Sequence, residues 1–231
     1  MKVWTYWEGP QPPHIKVCLG SMVNVLGSDL TILDPNSAVK AVGSNLNRNW
    51  RRLSQPALKA DAIRAALLAL YGGWWWDADT IAFRKPEFDY TSSVIYTTWT
   101  KDPVRVLNGY IWFPPNSPIA AKWLDSVNTA LNKPTSVDWT SIGEKLLTGL
   151  VLNDLKAFRI DRAQVLPVDI DSNVAHFFED RPLEPYLESN PICFGLNHSW
   201  FIYHKPNQMD VNSWNGTLLI HKLLRRAVYE G

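Results

Sequence analysis

The sequence predicts an α/β fold in which helices flank a mixed central sheet, in a single domain spanning residues 1–231. Strand-like and helix-like segments alternate along the chain, which favours a layered α/β architecture over an all-helical or all-strand one. With 231 residues and 46% hydrophobic composition, the chain can bury one large core and is short for two domains. No internal repeat or low-complexity segment interrupts the pattern.

The elements follow in order along the chain. Residues 2–7 form a first predicted strand, which Glu8, Gly9 and Pro10 stop. A helix is expected over 14–26 and a second strand over 30–33, closed by the turn residues Asp34, Pro35 and Asn36. Later strands are predicted at 92–98, 110–113, 164–168 and 200–204, and later helices at 118–131, 141–155 and 218–229.

The stretch from Lys59 to Thr80 carries the strongest functional signal. From the residue before this stretch onward, apolar residues form a helical stripe at Leu58, Ala62, Ala65, Ala66, Leu68 and Ala69. Gly72 and Gly73 are suited to end this helix with a left-handed cap. Asp61 and Arg64 lie three residues apart and therefore share a helical face, where a surface ion pair is the common alternative to a functional role.

An acidic pair follows the helix. Trp74, Trp75 and Trp76 are typical of a buried strand, and Asp77 and Asp79 come directly behind them. If the strand continues, alternation places both carboxylates on one face. Mg²⁺ and Mn²⁺ prefer oxygen ligands and keep positions for water or phosphate, so a short acidic pair suits a substrate that carries a diphosphate.

The whole arrangement resembles the sugar-donor site of glycosyltransferase family 32 and its relatives, which include capsular-polysaccharide synthesis transferases. Their signature has the form SDxxRxxxLxxxGGxYxDxD. This chain matches it at Asp61, Arg64, Leu68, Gly72, Gly73, Asp77 and Asp79, and departs from it at Ala60 and Trp75. The resemblance implies a GT-A fold, a UDP- or GDP-sugar donor, and a glycan or lipid-linked acceptor in polysaccharide biosynthesis. It also implies Mn²⁺ or Mg²⁺ as cofactor and retention of anomeric configuration.

The resemblance also implies roles for single residues. Asp79 would bind the cation with Asp77 nearby, and a late histidine would complete the site, with His204 favoured over His198. Asp61 and Arg64 would bind sugar hydroxyls and phosphate. Further donor contacts are expected from Tyr6, Trp7, Asp77, Asn108, Ser213 and Trp214.

Several of these positions have plainer interpretations. Trp7 would stack on the nucleotide base, but a core tryptophan is the alternative in a chain with 12 of them. Asn108 near the transferred sugar competes with a simple strand-edge turn. Residues 142–148 resemble a helix start that lines the acceptor side in the family, with Glu144 where the family has proline. An inverting enzyme would instead need a general base, for which Asp102, Glu144 and Asp180 are the candidates.

Two rival classes fit parts of the sequence. Asp77-Ala78-Asp79-Thr80 matches DxDxT, the nucleophile motif of haloacid-dehalogenase-like phosphatases, although no GDxxxD motif follows it. The tryptophans would also suit a sugar-binding module without catalysis, because aromatic faces pack against sugar rings. Long helical stripes argue against such a module, since lectin-like modules are mostly β.

Composition and local sequence limit the binding partners and the cellular compartment that we expect for this protein. Lys and Arg number 23 against 22 for Asp and Glu, so no global basic field favours nucleic acid. Cys18 and Cys193 lack CxxC spacing and are expected to be reduced and buried. No leader or long apolar run is recognised, which predicts a cytoplasmic protein. The amphipathic segment 218–229 could lie on an anionic membrane, but we favour a terminal helix packed on the domain.

Overall fold

The computed structural model describes residues 1–98, 104–138, 140–168, 174–196 and 215–229. Its strands are β1 (Val3–Tyr6), β2 (Leu30–Leu33), β3 (Gly73–Trp76), β4 (Thr80–Ala82), β5 (Ile95–Thr98), β6 (Val106–Phe113), β7 (Phe158–Arg159) and β8 (Cys193–Gly195). Its α-helices are α1 (Pro13–Leu26), α2 (Pro35–Val42), α3 (Pro56–Tyr71), α4 (Pro118–Ala130), α5 (Glu144–Leu152), α6 (Glu184–Leu187) and α7 (Leu219–Tyr229).

The main sheet has six strands in the order β2-β1-β3-β6-β5-β7. β1 pairs with β3 in parallel and β5 with β7 in parallel, whereas β6 runs antiparallel to both of its neighbours. A second sheet pairs β4 with β8 in antiparallel. The predicted fold class, an α/β fold with a mixed central sheet flanked by helices, is confirmed.

The turn from α3 into β3 explains the paired glycines. Gly72 and Gly73 have φ values of +66° and +95°, a backbone region that residues with a Cβ rarely adopt. A Cβ on Gly72 would lie 2.6 Å from the backbone nitrogen of Pro115, and one on Gly73 would lie 2.6 Å from the carbonyl oxygen of Lys2. Glycine at both positions therefore lets the chain leave α3 and enter the centre of the sheet at once.

One large apolar core lies between the main sheet and its helices. α3 packs against α4 and α2 and contacts β1, β3 and β6, which explains why it is buried around most of its circumference. Alternate strand residues such as Trp4, Trp75 and Ile111 face this core. Because α3 crosses the sheet here, polar residues on its flank come close to the strand ends.

Two expectations from the sequence change in the structure, and a third falls outside the described residues. The turn predicted at 34–36 begins α2, because the Asp34 carboxylate accepts a hydrogen bond from the backbone N–H of Ser37 at 2.7 Å in a capping box. The strand predicted at 164–168 is wrong: the chain forms a 3₁₀ turn at Arg162–Gln164, which Asp161 caps. The strand predicted at 200–204 lies outside the described residues.

The chain divides into two compact units. Unit 1 comprises Met1–Gly9, Thr31–Trp76 and Phe88–Ile160, and unit 2 comprises Pro10–Leu30, Asp77–Glu87 and Asp161–Gly231. Unit 1 contains nearly all of the main sheet with α2 to α5, and in unit 2 the small sheet and α7 pack on α1. That residues 1–231 form one domain stays a prediction. Within the described ranges, every helix is too short or too polar to span a lipid bilayer.

Candidate functional site

The predicted Asp61–Arg64 pair on α3 is present in unit 1. Arg64 Nη2 lies 3.4 Å from Asp61 Oδ1, as the three-residue spacing on one helical face requires. The Arg64 side chain is no surface residue, since the residue is only 4% exposed. Its guanidinium carbon lies 4.8 Å from the centre of the Trp75 ring, and Nη1 donates to the carbonyl oxygen of Asn108 at 2.6 Å.

Asn108 joins this pair from β6. Its Nδ2 donates to Asp61 Oδ1 at 2.9 Å, so the Asp61 carboxylate is held by an arginine and an amide together. Tyr110 on β6 pairs with Trp76, the last residue of β3, and β6 is antiparallel to β3. Asn108 therefore lies just beyond the carboxyl end of β3, where α/β proteins place ligands.

Gly143 completes the cluster. It precedes α5, and a Cβ at this position would lie 2.6 Å from Asp61 Oδ2 and would also overlap Asn108. Residues 142–148 were expected to line an acceptor site, and the structure places their glycine directly against Asp61. We call Asp61, Arg64, Asn108 and Gly143 the polar cluster of unit 1.

The acidic pair lies in unit 2. β3 ends at Trp76, and Asp77, Ala78 and Asp79 form the turn that leads into β4, so strand alternation does not orient them as expected. Asp77 and Asp79 are both half-buried, whereas Ala78 is buried. The Asp79 carbonyl oxygen accepts a hydrogen bond from the backbone N–H of Leu196 at 3.0 Å, which ties the turn to the residue after β8.

The surroundings of the acidic pair include a buried thiol. Burial raises the pKa of Cys18 well above its usual value, and the negative charge of Asp79 raises it further. Burial likewise raises the pKa of Cys193. Both cysteines are free and buried, as the sequence predicts for reduced thiols.

The donor set of the turn suits a hard cation. Two half-buried carboxylates offer the oxygen ligands that Mg²⁺ and Mn²⁺ prefer. Within the described ranges no group of three or more His, Cys, Asp and Glu side chains is arranged to hold a metal. The expected further ligand, His204 or its alternative His198, lies outside these ranges, as do Ser213, Trp214 and Asp102.

Tyr6 and Trp7 lie at the carboxyl end of β1. Tyr6 is buried and its hydroxyl donates to Glu8 Oε2 at 2.8 Å, while burial and this carboxylate raise its pKa. Trp7 is half-buried and its backbone N–H donates to the carbonyl oxygen of Leu33 at 2.9 Å. Stacking of Trp7 on a base needs a partly open ring, and its role stays a prediction.

The structure adds an ion pair that the sequence did not indicate. Lys59 Nζ on α3 lies 2.7 Å from Glu8 Oε1, across 51 residues of chain. Glu8 directly after a predicted strand end was a detectable signal, since ligand-binding residues often follow strands in α/β folds.

Comparison with solved structures identifies the fold. The glycosyltransferase GlyE of Streptococcus pneumoniae TIGR4 superposes with a TM-score of 0.57 at 13% identity, over 99% of this chain and 60% of that one. Its apo form gives a TM-score of 0.51 at 13% identity, over 100% of this chain and 64% of that one. The PaToxG glycosyltransferase is also similar, with 15% identity, 67% and 68% coverage and a TM-score of 0.49.

The likeness to GlyE establishes a shared fold. The chain spans about three fifths of the length of the GlyE structures it matches. No family model matches the sequence, and no curated protein matches it.

Proposed function

We propose that this protein is a metal-dependent glycosyltransferase that moves a sugar from a UDP- or GDP-sugar to a glycan, lipid-linked or other hydroxyl acceptor. The observation that carries the proposal is the polar cluster, in which Asp61, Arg64 and Asn108 meet at the carboxyl end of β3. The fold shared with GlyE supports it, as does the resemblance of the motif to glycosyltransferase family 32.

Asp61 is the group best suited to hold a sugar. Two donors already fix its carboxylate, and Gly143 packs so closely against Oδ2 that a methyl group would not fit between them. A carboxylate fixed in this way accepts hydrogen bonds from sugar hydroxyls without first losing rotamer freedom. We assign Asp61 and Asn108 to the transferred sugar.

Arg64 has a more complex role. Its guanidinium is buried over Trp75 and donates to the Asn108 carbonyl, so it positions both sugar-binding residues. We also retain donor phosphate as a partner of Arg64, because a guanidinium has five donors and matches phosphate geometry.

Asp77 and Asp79 would hold Mn²⁺ or Mg²⁺, with Asp79 as the direct ligand. A bound cation would stabilise the charge that develops on the diphosphate as the glycosidic bond breaks. Retention of configuration is part of the proposal on the basis of the family resemblance alone. Glu144, which pairs with Arg105 at 3.3 Å, and Asp180 are the described carboxylates that an inverting reaction could use.

The test is release of free nucleotide from a panel of UDP- and GDP-sugars, with Mn²⁺ present or removed by a chelator. We expect release from at least one donor, its loss on chelation and its loss in Asp79→Ala, with Asp77→Ala close to it. Asp125→Ala, which removes an exposed carboxylate from α4, is the control and should keep full turnover.

The same assay separates the rival classes. Hydrolysis of simple phosphate monoesters without nucleotide release would favour a phosphatase in which Asp77 is the nucleophile. Glycan binding with no turnover of any donor would favour a sugar-binding module. Normal turnover by a folded Asp79→Ala protein would remove the metal assignment.

A further inference from the structure

Glu8 lies where β1 ends and is the neighbour of Trp7. Its side chain is 26% exposed, so it is partly buried but keeps some contact with solvent. It follows the carboxyl end of β1, which pairs with β3 in the main sheet, and Asn108 lies just beyond the carboxyl end of β3. Nothing in the polar cluster described above uses this carboxylate.

Two side chains hold the Glu8 carboxylate in place. Oε2 accepts from the buried Tyr6 hydroxyl at 2.8 Å, and Oε1 lies 2.7 Å from Lys59 Nζ, whose side chain is 17% exposed. Each carboxylate oxygen can accept a second hydrogen bond. The carboxylate is therefore fixed in orientation yet retains acceptor capacity on both oxygens.

The helix that orients Glu8 is the helix of the polar cluster. Lys59, Asp61 and Arg64 all lie on α3, within two turns of one another. A single elongated ligand that contacts both residues would place its sugar at Asp61 and its opposite end at Glu8. Such a ligand would lie along α3. A nucleoside diphosphate sugar has the required form, with polar groups at both ends.

We propose that Glu8 binds the ribose of the nucleotide donor, accepting hydrogen bonds from its vicinal 2′- and 3′-hydroxyls. Two adjacent O–H donors match the two oxygens of a fixed carboxylate, and acidic side chains bind ribose hydroxyls in this way in other α/β nucleotide sites. Tyr6 and Lys59 are positioning residues, because they act through Glu8. This inference rests on the proposed function, since it assumes a nucleotide donor.

Affinity for ribo- and 2′-deoxyribonucleotides tests the assignment. We would measure binding of UDP, GDP and their 2′-deoxy forms by titration calorimetry with Mn²⁺ present. Loss of one charge-assisted hydrogen bond should weaken the deoxy forms about tenfold in the wild-type protein. Glu8→Gln and Glu8→Asp should bind the ribo and deoxy forms of each nucleotide nearly equally, because the first removes the charge and the second draws the carboxylate back.

Two sets of variants act as controls. Tyr6→Phe and Lys59→Met release the carboxylate and should reduce the preference for ribose only in part. Asp29→Asn breaks a comparable pair, in which Lys85 Nζ lies 3.0 Å from Asp29 in unit 2, and should leave the preference unchanged.

Three other binding results would contradict the ribose assignment, and only the last would also contradict the proposed function. Equal binding of ribo and deoxy forms by the wild-type protein would overturn the ribose assignment while leaving the proposed function intact. If Glu8→Gln keeps the ribose preference but loses a preference between UDP and GDP, the ribose assignment is wrong. Glu8 would then be assigned to the nucleotide base. Absence of binding by every nucleotide would overturn both the inference and the nucleotide-sugar proposal.

Discussion

At the scale of single residues, Arg64 shows how a buried charged side chain is surrounded by groups that offset part of its desolvation cost. Its guanidinium meets the Asp61 carboxylate, the Asn108 carbonyl and the face of Trp75, so the charge keeps a partner on several sides. Buried charges persist in proteins when they are paired and hydrogen-bonded in this manner. The same contacts make Arg64 hard to replace.

We expect Arg64→Lys to lose most nucleotide release and about 1–3 kcal/mol of unfolding free energy. Lysine keeps the charge, but a single ammonium cannot reproduce the planar fork or its stacking on Trp75. Urea unfolding and the release assay on one protein sample measure both effects. Arg84→Lys is the matched control, since Arg84 Nε donates to the Asn190 carbonyl at 3.0 Å in unit 2. Wild-type nucleotide release and stability in Arg64→Lys would show that Arg64 forms only an ion pair that lysine can replace.

Trp7 distinguishes base stacking from core packing. A stacked ring should contribute about 1–3 kcal/mol to nucleotide affinity, whereas a core tryptophan cut to alanine should cost about 3–5 kcal/mol of stability. Because Trp7 is half-buried, we expect Trp7→Ala to weaken nucleotide binding more than it lowers stability. Calorimetric titration and thermal unfolding of the same variant measure the two quantities. Lost stability with unchanged nucleotide affinity would rule out stacking.

Local spacing predicted some residue contacts and missed others for a physical reason. The Asp61–Arg64 pair follows from helix geometry, because residues three apart always share a face. Asn108 and Gly143 reach Asp61 only because β6 and α5 pack beside α3, across 47 residues in the case of Asn108. The Glu8–Lys59 pair likewise depends on tertiary packing, which residue spacing does not encode.

At the scale of elements, periodicity predicted the long segments and failed for the short ones. α3 was predicted from its apolar stripe and its two terminal glycines, and the structure ends it at Tyr71. β4, β7 and β8 have only two or three residues each, too few to show an alternating pattern. α2 was missed because Asp34 and Pro35 suit a helix start as well as a turn.

The terminal helix illustrates how packing decides between two uses of one amphipathic pattern. Leu219, Ile220, Leu223 and Leu224 are fully buried, and the helix packs on α1. Lys222 on its polar face pairs with Asp180 at 2.8 Å. The apolar stripe that would lie on a membrane is therefore covered within unit 2, and membrane contact through this helix stays a prediction.

The start of α5 provides a pair of matched glycine substitutions. Gly143→Ala places a methyl group against Asp61 and Asn108, so we expect at least a tenfold loss of nucleotide release with the fold kept. Gly149→Ala in the same helix meets nothing within 4 Å and should keep activity while gaining about 0.5–1 kcal/mol of stability. Release assays and urea unfolding of both variants provide the comparison. Full activity in Gly143→Ala would show that the close approach to Asp61 has no functional role.

At the scale of the whole molecule, the two units are interleaved along the sequence. The chain passes from one unit to the other five times, so neither unit is a continuous segment. Strands β3 and β4, for example, are joined by a three-residue turn yet belong to different units. Unfolding of one unit would release several chain segments that enter the other.

We therefore expect the 231 residues to unfold in one cooperative transition, as the sequence-based prediction of a single domain requires. The chain supplies a separate probe for each unit. Ten of its 12 tryptophans fall within the ranges of unit 1, and both cysteines fall within unit 2. Burial raises the pKa of both thiols, so neither should react with a thiol reagent at pH 8 until unit 2 opens. Tryptophan fluorescence and thiol reactivity should then change at the same urea concentration, and thiol reaction at a clearly lower concentration would show that unit 2 unfolds as a separate domain.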